Sequence, residues 1–129
     1  IYGVFGGHVN VTDGRCVYMR GPGSQNAPLF EYTLMPCHTS SPFQPRELRD
    51  WEPHGGFTLT QGCRVMMVRA RQPVLSEKNP VGKGRMATML FDVAADPGMT
   101  APLLDADVEA RMIRLLVQAM LDSDAPPEQ

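Results

Sequence analysis

Several features that would assign a chain to a broad class are missing from this sequence. No apolar run approaches the ~20 residues that span a bilayer, which argues against a membrane partner. The net charge is −2 and no basic patch stands out, so nucleic acid is not an expected partner. The three cysteines are odd in number, far apart and outside any C-x-x-C pair. A disulfide framework is therefore not expected, and the unpaired thiols favour a reducing compartment such as the cytoplasm.

Length and composition describe a single globular domain. At 129 residues the chain 1–129 is the size of one domain and can bury roughly two-thirds of its unfolded surface. Its 12 prolines imply long, stiff connections between elements. The sequence begins at Ile1, inside a strand-like run and without a methionine. We therefore expect it to be a piece of a longer protein.

The segment 5–20 has the pattern of a β-hairpin. Asp13-Gly14 separates two alternating runs, and this pair favours a type I′ turn because both central residues need positive φ. If these two residues form the loop, counting outward from it along both strands gives the residues that face each other. One face of the hairpin is then wholly apolar. The apolar pairs predicted in this way are Val9 with Tyr18 and Val11 with Cys16.

The other face of the predicted hairpin carries polar side chains that a plain scaffold strand does not need. His8 and Asn10 stand together on this face, one pleat apart, because alternate residues of a strand point the same way. The glycines that precede His8 would let another group approach the backbone closely. His8 and Asn10 are therefore candidate site residues, and a polar contact with a neighbouring domain is an equally open interpretation.

The rest of the chain has strand-like runs, turn-rich segments and one final helix. Apolar positions recur at three- and four-residue spacing over 106–121, and Asp105 is a suitable N-cap. Strands followed by one helix, without βαβ alternation, indicate an α+β fold: an antiparallel sheet of about four strands with the amphipathic helix packed on one face. We predict strands at 2–12, 15–20, 29–35, 57–60, 64–69 and 85–91, a helical turn at 45–51 and a loop at 72–84. The helix side chains expected to face inward are Val108, Met112, Ile113, Leu115, Leu116, Ala119 and Met120.

Residues that carry chemistry are present but form no complete site. His38 and His54 lie in loops rich in proline, serine and glycine, where exposure to solvent is the expected state. Cys37 and His38 are adjacent in sequence, and no second pair completes a zinc site. Nothing places two carboxylates at the separation that general acid–base catalysis needs. We predict no catalytic residue, no metal site and no cofactor within this chain.

Two parts of the sequence carry a family resemblance. One is Gly6-Gly-His-Val-Asn-Val-Thr-Asp-Gly-Arg-Cys-Val-Tyr-Met-Arg20, with the strand 29–36 that follows it. The other is Leu90-Phe-Asp-Val-Ala-Ala-Asp-Pro97, just before the final helix. The first is similar to G-G-x-V-N-V-T-D-G-R-Y-x-Y in bacterial sulfatase-like proteins, and the second to the segment L-Y-D-L-x-x-D-P-x-E. Together they resemble the C-terminal region of the type I sulfatases, in the alkaline phosphatase superfamily, with the weakest likeness over 51–83.

The resemblance implies a parent protein that hydrolyses sulfate esters, or related phosphate or phosphonate esters. Such enzymes use a formylglycine nucleophile and a calcium or magnesium ion. The C/S-x-P-x-R motif that supplies the formylglycine does not occur here, and the metal-binding carboxylates of the family's N-terminal domain have no match. Cys16 and Met99 also stand where the family usually has tyrosine and glutamate. The chain would then be a C-terminal subdomain whose partner is the N-terminal catalytic domain of the same polypeptide, with His8 and Asn10 at the rim of the substrate pocket.

Two other hypotheses stay open beside the subdomain hypothesis. A stand-alone α+β module that binds a small ligand or a protein would have a closed core on both faces of its sheet. An independent small enzyme would use His8, His38 or Cys37. The subdomain hypothesis instead predicts an apolar face of the sheet or helix, left exposed or covered by the missing domain, and such a face would also favour self-association.

Overall fold

The structure, a computed structural model, describes residues 1–3, 5–22, 28–38, 41–70 and 87–126. These residues form short strands, one 3-10 turn at Thr58–Thr60 and one long helix. The strands are β1 (Tyr2–Gly3), β2 (Val9–Thr12), β3 (Cys16–Arg20), β4 (Phe30–Thr33), β5 (Glu52–His54), β6 (Val65–Arg69) and β7 (Met89–Asp92), and the helix is α1 (Ala106–Asp122).

The predicted α+β class is confirmed, and the strands divide between two sheets. The chain has two compact units. The described residues of the first lie within Ile1–Asn26 and Val74–Ala125 and hold an antiparallel sheet in the order β1-β2-β3-β7, together with α1. The second, mainly within Ala27–Pro73, holds an antiparallel sheet in the order β4-β6-β5. The second sheet comes in addition to the predicted sheet of about four strands, and in it β6 pairs with both β4 and β5.

One face of the first sheet packs against α1. Val11, Tyr18 and Leu90 lie side by side across β2, β3 and β7. They form a buried cluster with Met112 and Leu116 of the helix. Burial of apolar side chains of this size contributes about 1.5–3 kcal/mol each. The helix therefore packs on one face of a four-stranded sheet, as predicted, and the core of this unit lies between them.

The predicted helix and its N-cap are confirmed. Asp105 Oδ1 accepts the backbone N–H groups of Asp107 and Val108 at 3.1 and 3.0 Å, which satisfies two donors of the first turn. The apolar surface of α1 is wider than the core needs: Ile113, predicted to be inside, is 39% exposed. Val117 and Leu121, at successive four-residue steps from Ile113, are also exposed. Across the described ranges, no helix is both long and apolar enough to cross a bilayer.

The β2–β3 hairpin is confirmed, but its predicted register is wrong by two residues. Asp13 Oδ1 accepts the backbone N–H groups of Arg15 and Cys16 at 2.9 and 2.6 Å, which moves the turn toward Gly14 and Arg15. Of these turn residues, all described, only Gly14 has a positive φ, 90°. A shift of two residues keeps each side chain on its predicted face. The observed pairs are Val9 with Arg20, Asn10 with Met19, Val11 with Tyr18 and Thr12 with Val17.

The predicted first strand, 2–12, is two strands that pair with each other. β1 and β2 run antiparallel, and the chain reverses between them with Gly6 at φ 69°. A positive φ is readily adopted by glycine, which has no Cβ to clash. Gly3 also needs to be small, because an added Cβ would lie 2.6 Å from the His8 carbonyl oxygen. The glycines therefore determine where the strand breaks.

The second unit differs most from the sequence prediction. The predicted strand 57–60 is the 3-10 turn, held by Thr60 Oγ1, which accepts the Phe57 N–H at 2.9 Å and donates to the Cys63 carbonyl at 3.0 Å. Strand β5 was not predicted, and the expected helical turn at 45–51 is a hydrogen-bonded turn rather than a helix. Predicted strand 85–91 is observed as β7, while its first two residues and the loop 72–84 lie outside the described residues.

Candidate functional site

The polar residues of the hairpin turn hold the turn itself together. Thr12 Oγ1 donates to the Cys16 carbonyl at 2.9 Å and accepts the Gly14 N–H at 3.0 Å. Asp13 takes two further backbone N–H groups through Oδ1. Such side-chain to backbone bonds are typical of turns that start with threonine and aspartate. These side chains are therefore committed to local structure.

The same turn is bonded to two other elements of the first unit. Arg15 donates to Asp92 Oδ2, at the end of β7, through Nε at 3.1 Å and Nη2 at 2.9 Å. Arg111 of α1 donates to Asp13 Oδ2. The Cys16 N–H and then the Arg111 guanidinium lower the pKa of Asp13 from 3.8 to about 2. The turn thus links the hairpin, β7 and α1, and its carboxylate is held in the ionised form.

Two aspartates, one at the end of β7 and one just after it, also have structural partners. Asp92 Oδ1 accepts the N–H groups of Ala94 and Ala95, both at 3.1 Å. Asp96 Oδ2 accepts from Thr100 N–H at 2.6 Å and from Ala101 N–H at 3.0 Å. Arg15 is the main cause that lowers the pKa of Asp92, and the Ala101 N–H is the main cause for Asp96. Both carboxylates therefore hold the chain that follows β7 in place.

The imidazole of His8 reaches across the first sheet. Its Nε2–H donates to the Ala87 carbonyl at 3.0 Å, just before β7. Extending the registers of β2–β3 and β3–β7 places Gly21 between these two residues. Because Gly21 has no side chain, the ring can pass over it. A neutral ring that donates through Nε2 leaves Nδ1 as a hydrogen-bond acceptor.

Asn10 lies on the same face of the sheet, opposite to the face that α1 covers. Its cross-strand neighbours are Tyr2 on β1 and Met19 on β3. Asn10 is 7% exposed, and Val17 and Phe91 on the same face are also buried. Within the described ranges, nothing donates a hydrogen bond to Asn10 Oδ1. His8 and Asn10 thus share a face as predicted, but Asn10 is buried rather than exposed at a rim.

The second unit holds a cluster that the sequence did not reveal. His38 Nε2 lies 2.9 Å from Glu47 Oε1, and Nδ1 lies 3.6 Å from Glu31 Oε2. The Phe43 ring packs 4.4 Å from the imidazole. Glu47 Oε2 also accepts the Gln44 N–H at 2.5 Å, and this bond, followed by the one from His38, lowers the pKa of Glu47. The His38 side chain is 36% exposed, and carboxylates, which the sequence did not place there, flank its ring on both sides.

His54, the other loop histidine of the prediction, is part of an aromatic cluster. Its Nδ1 accepts the Gly56 N–H at 3.3 Å, and its ring stacks on Phe57 with centroids 4.8 Å apart. Tyr32 meets both rings edge-on at 5.1 Å. This arrangement is typical of aromatic packing. His54 is therefore a half-buried packing partner of Tyr32 and Phe57 in the second unit.

The three cysteines differ in their surroundings. Cys16 is buried beside Arg111, whereas Cys37 and Cys63 are exposed, and all three are free thiols. The described part of the chain contains no group of three or more side chains placed to hold a metal ion.

The polar residues of the first unit therefore fall into two groups. Those of the turn and of the segment after β7 have hydrogen-bond partners, whereas Asn10 Oδ1 and the Tyr18 hydroxyl are buried without a partner among the described residues. Comparison of the chain with protein-family models, curated proteins and solved structures finds no match.

Proposed function

We propose that this chain is the C-terminal subdomain of a sulfatase-type ester hydrolase. It supports a catalytic domain of the same polypeptide and lines one side of the substrate pocket. One observation carries the proposal: the hairpin and the segment 90–97, two of the parts that resemble sulfatases, also meet in space. Strand β3 of the hairpin pairs with β7, with Cys16 opposite Asp92, and Arg15 bridges the two segments through Asp92. Residues 70 to 76 positions apart in the sequence are thus paired in one local structure, which supports a common subdomain.

The chemistry of the proposed reaction comes from the partner domain. Formylglycine and a divalent cation would supply the nucleophile and polarise the ester there. The described residues of this chain do not fit the cation, because Asp13, Asp92 and Asp96 each bind backbone N–H groups or arginine. In the proposed enzyme this subdomain supports the catalytic domain and lines one side of the substrate pocket.

The surface of α1 supports a role as a docking subdomain. Ile113, Val117 and Leu121 form an exposed apolar stripe at four-residue spacing, and Leu104, just before the N-cap, is 96% exposed. Such a stripe suits contact with another apolar surface. It agrees with a subdomain that packs against a larger domain.

The first test is the coding sequence upstream of Ile1. A C/S-x-P-x-R motif in the same reading frame supports the proposal, and a frame that begins just before Ile1 contradicts it. The protein from the whole frame is then assayed with p-nitrophenyl sulfate and with sulfated sugars. His8→Ala is expected to lower kcat/KM by about 3–10-fold, the equivalent of one hydrogen bond, on a substrate that His8 contacts. Arg114→Ala, on the exposed side of α1, serves as the control.

A second candidate function is a stand-alone ligand-binding module. Burial of Asn10, Val17 and Phe91 favours it, because the sheet face opposite α1 is then closed as well. Isothermal calorimetry of the 129-residue chain with sulfated sugars, aryl sulfates and phosphate esters separates the two functions. Tight binding to the chain alone supports the module, whereas binding only by the protein from the whole reading frame supports the subdomain.

A further inference from the structure

The His38 imidazole lies between two carboxylates that come from separate segments of the second unit. Its Nε2 is 2.9 Å from Oε1 of Glu47, which lies in the turn 45–48. Its Nδ1 is 3.6 Å from Oε2 of Glu31, which lies on β4. The ring also packs against the buried side chain of Phe43. His38 therefore joins the turn to the strand through its two ring nitrogens.

The number of protons on the ring decides how many of these contacts are favourable. An ionised carboxylate only accepts hydrogen bonds, so Nε2 of His38 carries a proton and donates it to Glu47. A neutral ring then has no proton on Nδ1, and a lone pair faces the Glu31 carboxylate. The protonated ring presents an N–H group and a positive charge to both carboxylates. Protonation thus replaces a repulsive contact with an attractive one.

We propose that His38 is a pH-responsive clamp, which holds the turn 45–48 to β4 more tightly when its ring is protonated than when it is neutral. Imidazoles change charge between about pH 5 and pH 8. The Gln44 N–H, followed by His38, lowers the pKa of Glu47, so this carboxylate keeps its charge across that range. The second unit should therefore become less stable as the pH rises and the ring loses its proton. This inference does not depend on the proposed function.

Other titratable and charged groups of the second unit act differently. Arg46 is next to Glu47 and also lowers its pKa, but an arginine keeps its charge at every pH of interest. His54 Nδ1 accepts the Gly56 N–H at 3.3 Å, so protonation of this nitrogen breaks the bond. The titration of His54 therefore weakens the unit in acid, opposite to the effect of His38. Comparison with a variant at position 38 separates the two.

Urea unfolding of the 129-residue chain at pH 5.5 and pH 7.5 tests the clamp. The fluorescence of Trp51, directly before β5, reports the second unit. The quantity compared is the unfolding equilibrium constant of the wild type divided by that of His38→Gln, whose amide does not titrate. We expect this ratio to rise about two- to fivefold between the two pH values, the size of a solvent-screened ion pair. A ratio that stays constant or falls overturns the inference.

The contribution of Glu31 is tested by repeating this comparison in two further backgrounds. Glu31→Gln removes the charge that faces Nδ1, and the new amide can donate to the neutral ring. We expect the rise of the ratio to fall by at least half in this background. Glu52→Gln changes an exposed carboxylate on β5 and should leave the rise intact. A rise that keeps more than half of its size in the Glu31→Gln background contradicts the clamp.

A second measurement needs no variant and holds even if His38→Gln does not fold. In the isotope-labelled chain, NMR follows the His38 ring signals and the carboxyl-carbon signals of Glu31 and Glu47 over the same pH range. Both carboxyl signals should move together with the ring signals, because the ring changes charge 3.6 and 2.9 Å from their oxygens. The carboxyl signal of Glu52 is the control. A Glu31 signal that does not follow the ring overturns the inference.

Discussion

The turn residue Asp13 gives the sharpest test of the structural argument. Its carboxylate binds the N–H groups of Arg15 and Cys16 through Oδ1 and the guanidinium of Arg111 through Oδ2. Asp13→Asn retains a side-chain oxygen that can accept the two backbone bonds but removes the charge that pairs with Arg111. The substitution should therefore weaken the link between the hairpin turn and α1.

The size of the effect follows from the pKa of Asp13. A fall from 3.8 to about 2 would stabilise the folded chain by about 2.4 kcal/mol if all of it acted on folding. The turn is partly exposed and solvent screens the pair, so we expect about 1 kcal/mol. Because the folded-state pKa of Asp13 is depressed, this stability is present above about pH 5 and is lost as the pH falls toward 2.

Urea unfolding followed by circular dichroism at 222 nm measures this loss. The signal reports mainly α1, the one α-helix among the described residues. At pH 7 we expect Asp13→Asn to lower the midpoint by roughly half a molar, and the difference from the wild type should shrink toward pH 2. Arg111→Met should act through the same pair and be non-additive with Asp13→Asn, whereas Arg114→Met on the same helix is the control. An unchanged midpoint at pH 7, or a difference that does not shrink in acid, would refute the reasoning.

Three further predictions concern the helix and the second unit. Asp105→Ala removes the N-cap of α1 and should cost about 1 kcal/mol by the same dichroism assay; an unchanged midpoint contradicts the cap. Gly56→Ala should lower the urea concentration at which the second unit unfolds, because Gly56 has φ 89° and a Cβ there would overlap the Cys63 carbonyl. The fluorescence of the single tryptophan measures this transition. Gly55→Ala is the control, since the space around Gly55 is open. Since the pKa of Glu47 is depressed, the same fluorescence transition should weaken as pH falls from about 5, and Glu47→Gln should flatten that dependence.

The parts of the fold that were predictable depend on local patterns. The helix over 106–121 follows from its apolar spacing and from Asp105, and the structure extends it by one residue. The hairpin faces were right although the register was wrong, because a shift of two residues leaves the alternation unchanged. The register itself depends on Asp13, whose side chain accepts two backbone N–H groups. The general preference of Asp-Gly for type I′ turns takes no account of these two bonds, so it gave the wrong register.

The parts that were not predictable depend on contacts between distant residues. Strands β4 and β6 have readable strand patterns, but their pairing across more than thirty residues decides that they form a separate sheet. The histidine cluster depends on the same kind of contact, since Glu31 and Glu47 reach His38 from two different segments. Strand β5 is short and contains Pro53 at a sheet edge, where proline is tolerated but gives no strand signal.

The hydrogen bonds and ion pairs of the first unit also bear on the proposed sulfatase subdomain. Asp13, Arg15, Asp92 and Asp96 stand in the two segments that carry the likeness, and each binds backbone or another of these residues. Residues tied together in this way preserve a local architecture, and any protein that needs this architecture would keep them. These contacts therefore support the proposed subdomain as a local architecture, and they carry no information about the reaction of the proposed parent protein.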